Sequence, residues 1–89
     1  PGSTDKVLEL ARRYPESAFV IYCNPGDITD AMLDAAEDIL NIMFVVRYEE
    51  GVEEACRLLR FRKFLYSVVY GFQAGSAFIP GKTGTYRSG

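Results

Sequence analysis

Two short apolar runs, residues 18–23 and 42–46, constrain the fold of this chain more than any other feature of its sequence. Each run is nearly continuous, which is typical of a strand buried on both faces of a parallel sheet. Between them, residues 28–40 have the 3.6-residue spacing of an amphipathic helix. Parallel strands need such a crossover. We therefore predict a β-α-β unit with a right-handed connection.

The segments around this unit add two more predicted helices. The first covers residues 5–14, with Ser3 or Thr4 as its cap, and Pro15 ends it. Its expected buried stripe is Val7, Leu10, Ala11 and Tyr14. The crossover helix follows a turn at residues 24–26, and Asp27 or Thr29 is its expected cap. Its expected buried line is Ile28, Met32, Ala35 and Ile39. A third helix begins near Gly51.

The end of the third helix allows two interpretations. If the helix continues, one stripe runs through Leu58, Phe61, Leu65, Val69 and Phe72. If it breaks near Lys63, residues 64–72 form a third strand, with alternate side chains on one face: Phe64, Tyr66, Val68, Tyr70 and Phe72. Aromatic and β-branched enrichment favours the strand. A short edge strand is also expected at residues 77–79.

Together these elements predict an α/β fold. We expect a small single-domain α-β-α-β-α-β sandwich with a β-α-β core and a mostly parallel sheet of three to four strands. With 89 residues, the chain has room for one domain. We assign residues 4–80 to it, 81–89 to a flexible polar tail and 1–3 to a non-native remnant.

Charge is distributed unevenly along the chain. Residues 1–54 contain twelve acids and four bases, a net charge of −8, whereas residues 55–89 contain six bases and no acid, a net charge of +6. The overall charge of −2 hides this split. Acidic and basic surfaces are therefore expected to meet, either within one chain or between copies.

Composition excludes several kinds of chemistry. The chain has no His, so it has neither a Ser-His-Asp nor a Cys-His catalytic group, and no imidazole metal site. Cys23 and Cys56 are too few for a disulfide framework, and we expect buried free thiols in a cytoplasmic protein. The scarcity of amides hints at a thermophile. No run is long enough to cross a membrane, and no cofactor or metal is expected.

Three further features of the sequence resemble functional sites. Residues 81–83 read Gly-Lys-Thr, but a phosphate-binding loop needs Gly where Ser76 stands and a helix afterwards, so we expect only a tail. The loop at residues 24–27 lies at a strand end, and Cys23 there has no accompanying base. An acidic helical face is expected to be solvated or to dock a basic partner: Asp27, Asp30, Asp34, Glu37 and Asp38.

The most distinctive segment is 57–72, where bases alternate with aromatic residues. Its candidate interaction residues are Arg57, Arg60, Arg62, Lys63, Tyr66 and Tyr70. Twelve aromatic residues exceed what so small a core can hide, which favours an interface. We expect a non-enzymatic protein-interaction or regulatory module that self-associates, with a homo-oligomer or another protein as partner. The alternative is a small nucleic-acid-binding protein, and an enzyme centred on Cys23 and Asp27 is the least favoured hypothesis.

Overall fold

The structure, a computed structural model, describes residues 2–71, 76–78 and 85–87. Three helices alternate with three strands, and two further short strands follow. The elements are α1 (Gly2–Arg13), β1 (Phe19–Cys23), α2 (Asp30–Ala35), β2 (Ile42–Arg47), α3 (Val52–Phe61), β3 (Tyr66–Val69), β4 (Ser76–Phe78) and β5 (Thr85–Arg87). A single 3₁₀ turn, Pro25–Asp27, precedes α2.

The main sheet has three strands in the order β1-β2-β3, and both pairings are parallel. In the register, Phe44 of β2 lies between Ile21 of β1 and Tyr66 of β3. The predicted α/β class and the parallel β-α-β unit are therefore confirmed, with three strands in the sheet.

Strands β4 and β5 pair with each other, antiparallel, as a separate two-stranded sheet. A strand lies close to the expected residues 77–79, as β4, but it belongs to this second sheet and does not extend the edge of the main sheet. Strand β5 lies within the segment assigned to a polar tail. The Gly-Lys-Thr segment, 81–83, lies outside the described residues.

The core joins one face of the sheet to all three helices. Phe44, Val46, Leu33 and Leu59 are the largest fully buried side chains. Val45, which points to the opposite face of β2, is also buried but does not belong to this core cluster. Alternation along β2 therefore decides which side chains meet the helices.

Two predicted helical stripes are wrong in detail. In α1 the buried residues are Leu8 and Ala11, while Tyr14 is exposed, and Ser3 and Thr4 lie inside the helix rather than capping it. Helix α2 ends at Ala35 instead of continuing to residue 40. Its buried residue Leu33, with Ala36 just beyond, replaces the expected Ala35, which is exposed. The predicted cap of α2 is confirmed, because Thr29 Oγ1 accepts a hydrogen bond from Met32 N at 3.2 Å.

Helix α3 ends near Lys63, and the strand interpretation is confirmed, although β3 covers only Tyr66–Val69 of the expected residues 64–72. Lys63 adopts a left-handed conformation, φ 65°. Its N–H donates to Arg60 O at 3.0 Å, and Phe64 N–H donates to Leu59 O at 2.9 Å. These two bonds form a Schellman motif, which stops the helix and turns the chain into β3. The C′ position usually holds Gly, so Lys63 gave no signal in the sequence.

Asn41 fastens the end of α1 and the following loop to the start of β2. Its Nδ2 donates to three backbone carbonyls, those of Ala11 at 3.0 Å, Tyr14 at 3.1 Å and Ser17 at 2.8 Å. Its own backbone carbonyl accepts from Phe19 N at 2.8 Å. Sequence reasoning assigned no role to this residue.

We predict that Asn41→Ala lowers the free energy of unfolding by about 1–3 kcal/mol, because three backbone carbonyls, one in α1 and two in the loop after it, lose their donor. Urea denaturation followed by circular dichroism measures this difference. Asn41→Asp, which keeps the size but removes the amide donor, is expected to be at least as destabilising. A loss below about 0.5 kcal/mol for both variants, typical of a neutral surface change, would contradict the role assigned to Asn41.

Candidate interaction surface

A shallow groove lies between α3 and β3 on the helix-covered side of the sheet. The groove has a volume of about 430 Å³ and is lined by Tyr48, Val52, Glu53, Cys56, Arg57, Arg60, Tyr66 and Val68. Because α3 connects two parallel strands, it runs back against the direction of β3. Glu53 therefore lies near the carboxyl end of the strands, and Arg60 near the beginning of β3. We call this feature the α3–β3 groove.

One side of the groove is the free edge of the sheet. The carbonyls of Leu65 and Val69 accept hydrogen bonds from Phe44 N at 3.0 Å and Tyr48 N at 2.7 Å, so they point towards β2. Backbone groups alternate in direction along a strand, and those of Tyr66 and Val68 therefore point away from β2. Within residues 2–71, 76–78 and 85–87, no strand pairs with this side of β3. Unpaired edges of this kind accept further strands.

Large apolar side chains remain exposed beside this edge. Val68 is 42% exposed, Tyr48 is 56% exposed and Tyr70 is 87% exposed. The rings of Tyr48 and Tyr70 contact each other edge to face, with centroids 5.2 Å apart. Such amphipathic aromatic residues are enriched at protein interfaces.

Of the predicted interaction residues, Arg57, Arg60 and Tyr66 line the α3–β3 groove. Arg60 Nη1 donates to the Tyr66 hydroxyl at 2.8 Å, which holds the guanidinium at the end of the groove where β3 begins. Arg57 pairs with Glu54 on the outer side of α3. Tyr70 follows β3, against the ring of Tyr48.

Arg62 does not join the other predicted residues, because it reaches across to α2. Its guanidinium donates to Asp30 Oδ1 at 3.1 Å and to Asp34 Oδ1 at 2.6 Å. The side chain is only 18% exposed. The hydrogen bond to Asp34, followed by the charges of both carboxylates, raises the pKa of Arg62 above its usual value. Some of the opposite charges of the two halves of the sequence therefore pair within the chain, where the basic end of α3 contacts the acidic face of α2.

Lys63 also lies apart from the groove lining. It is exposed and, among the described residues, forms no ion pair. Its place in the Schellman turn puts it at the same end of the groove as Arg60. It therefore adds a second positive charge at this end.

The remaining acidic residues do not assemble a metal site. On the acidic face of α2 and the turn after it, Asp38 pairs with Arg12 of α1 at 3.3 Å, and Asp30 and Asp34 hold Arg62. No group of three or more Cys, Asp or Glu residues suited to holding a metal ion occurs in the part of the chain that the structure describes. This face instead holds α2 to its neighbouring helices.

Cys23 is poorly suited to act as a nucleophile. It is 2% exposed, and its Sγ contacts the carbonyl of Ile21 at 3.7 Å. Burial, assisted by the negative charge of Asp27, raises the pKa of the Cys23 thiol to about 12. The carboxylate of Asp27 accepts a hydrogen bond from Asn24 N at 3.0 Å and shapes the turn. The prediction that both cysteines are buried free thiols is confirmed.

Sequence reasoning missed five residues of the groove: Tyr48, Val52, Glu53, Cys56 and Val68. Four of them lie on α3 and β3, which were both predicted, but nothing in the sequence indicated that the first turn of α3 faces β3. The period of α3 offered a partial signal, because residues 52, 53, 56, 57 and 60 recur at helical spacing.

No helix in the described part of the chain is long and apolar enough to cross a membrane. No protein-family model, curated protein or solved structure matches this chain.

Proposed function

We propose that this chain is a small non-enzymatic protein-interaction or regulatory module that associates with a second copy of itself. The observation that carries the proposal is the outer edge of β3, with which no other strand of the described residues pairs and beside which Val68 and Tyr70 are exposed. A small domain with an open strand edge and exposed apolar side chains gains stability by covering both. In a symmetric homo-oligomer, the strand edge and apolar side chains of one copy are covered by the same surface of another copy.

The alternative function, nucleic-acid binding through residues 57–72, has less support. Two of the four bases in this segment pair with carboxylates of the same chain, and Arg60 is bonded to Tyr66. Phosphate binding gains its free energy from cations that release counterions, so paired guanidinium groups contribute less. Phe64, a candidate stacking ring, is half-buried and packs edge to face against Phe44 at 5.5 Å.

Analytical ultracentrifugation tests the proposed self-association. We expect a dimer at a chain concentration of about 50 µM in low salt, with a Kd in the micromolar range. The dimer should weaken at about 1 M NaCl, where screening shortens the reach of charges to about 3 Å. A strict monomer at low salt would contradict the proposal.

A further inference from the structure

We infer that two copies pair through antiparallel β3 strands, with their α3 helices side by side in opposite directions. This inference rests on the proposed self-association and names its surface. In a two-fold pair of this kind the axis stands perpendicular to the sheet, near Ser67 and Val68 at the middle of the four-residue strand. The two three-stranded sheets then continue as one sheet of six strands.

Backbone geometry suits this pairing. The N–H and C=O groups of Tyr66 and Val68 point away from β2, so both residues can exchange hydrogen bonds with a partner strand. The paired strands also bring two exposed apolar edges together, each with Val68 and Tyr70. These side chains lie on the same side of the sheet as α3, and the two α3–β3 grooves therefore face each other across the axis.

Charge supplies the second, independent argument. Along each groove the charge changes sign, from Glu53 at the start of α3 to Arg60 near its end. Glu50 lies beside Glu53 and Lys63 lies beyond Arg60, and none of these four residues forms an ion pair within the described part of the chain. The two-fold axis places the positive end of one groove against the negative end of the other. A second copy is thus the partner that fits both the strand edge and the charges.

Opposite charge reversals test this arrangement. Glu53→Lys sets a lysine opposite Arg60 of the partner copy, and Arg60→Glu sets a glutamate opposite Glu53 of the partner copy, so both symmetry-related contacts between these positions become repulsive. Because symmetry repeats each contact twice, each variant alone should raise the dimer Kd on the order of tenfold or more. Mixed in equal amounts, the two variants should form a heterodimer with near wild-type affinity, because every contact is attractive again. Sedimentation velocity and a label on one variant measure both results.

The controls separate failure of this inference from failure of the proposed function. Glu16→Lys makes the same charge change in the exposed loop between α1 and β1 and should leave the dimer Kd unchanged. Thermal melts followed by circular dichroism verify that each variant is folded. A monomeric wild type would overturn self-association itself. If the wild type is a dimer but Glu53→Lys and Arg60→Glu raise its Kd no more than Glu16→Lys does, the β3 pairing is wrong and self-association still stands. If each variant alone dimerises weakly and the mixture also stays monomeric, the antiparallel arrangement is wrong.

Discussion

Phe44→Ala is expected to lower the free energy of unfolding by about 3–5 kcal/mol, a large part of what a domain of this size possesses. Phe44 is 0% exposed at the centre of the middle strand, and its ring packs edge to face on Phe64. Truncation removes apolar contacts and leaves a cavity that neighbouring strands on both sides prevent from closing. Urea denaturation followed by circular dichroism gives the difference.

Phe61→Ala is the matched control, since it removes the same ring from a position that is 80% exposed. We expect its effect to stay within about 0.5 kcal/mol of zero, because Ala also favours the helix. If Phe44→Ala cost no more than Phe61→Ala, the assignment of Phe44 to the centre of the core would be wrong.

Alkaline pH is expected to destabilise the protein through Cys23. Burial raises the pKa of this thiol from 9.0 to about 12 in the folded chain. Between these two values the unfolded chain has lost the thiol proton while the folded chain retains it. The stabilising contribution is thus complete below pH 9 and is lost as the pH rises towards 12, at about 1.4 kcal/mol per pH unit.

Cys23→Ala isolates this effect, because the other titrating groups are common to both proteins. Unfolding free energies measured from about pH 8 to pH 11 should converge for wild type and Cys23→Ala as the pH rises. Burial also raises the pKa of Cys56, and Cys56→Ala therefore serves as the comparison that retains the Cys23 contribution. Parallel pH profiles for wild type and Cys23→Ala would contradict the raised pKa.

The sequence predicted the sheet better than the helices. Residues 19–23 and 42–47 form parallel strands as expected, because a continuous β-branched and aromatic run is hard to bury in any other way. Helical stripes were less reliable, since several faces of a short helix contain apolar residues. At the end of α2, Ala35 and the next residue, Ala36, are chemically identical, and only packing buries the second.

The segment after α3 could not be decided from its pattern. Both a helical stripe and a strand alternation fit residues 58–72, so periodicity alone left two structures open. The left-handed turn at Lys63 selects the strand. A non-Gly residue rarely takes this conformation, and tertiary contacts of the core therefore decided against the local preference.

The candidate surface was foreseen in part. Arg57, Arg60 and Tyr66 were chosen from their spacing, and they do line the α3–β3 groove. Arg62 was chosen by the same reasoning, yet it turns to Asp30 and Asp34. Arg60 and Arg62 are only two positions apart in the sequence. Because α3 ends between them, at Phe61, their side chains contact different elements. Glu53 was missed because its place in the groove depends on which element packs beside the first turn of α3, and the sequence does not show this.

The sequence by itself determined the alternation of helices and strands, the parallel β-α-β unit and the absence of imidazole chemistry. Those properties follow from local apolar patterns and from composition, both of which can be read directly from the sequence. Only the tertiary structure shows that Arg62 forms ion pairs with acidic residues of the same chain. It also places Glu53 and Arg60 at opposite ends of one groove. Charges act through space, and distance in space is set only when the helices pack.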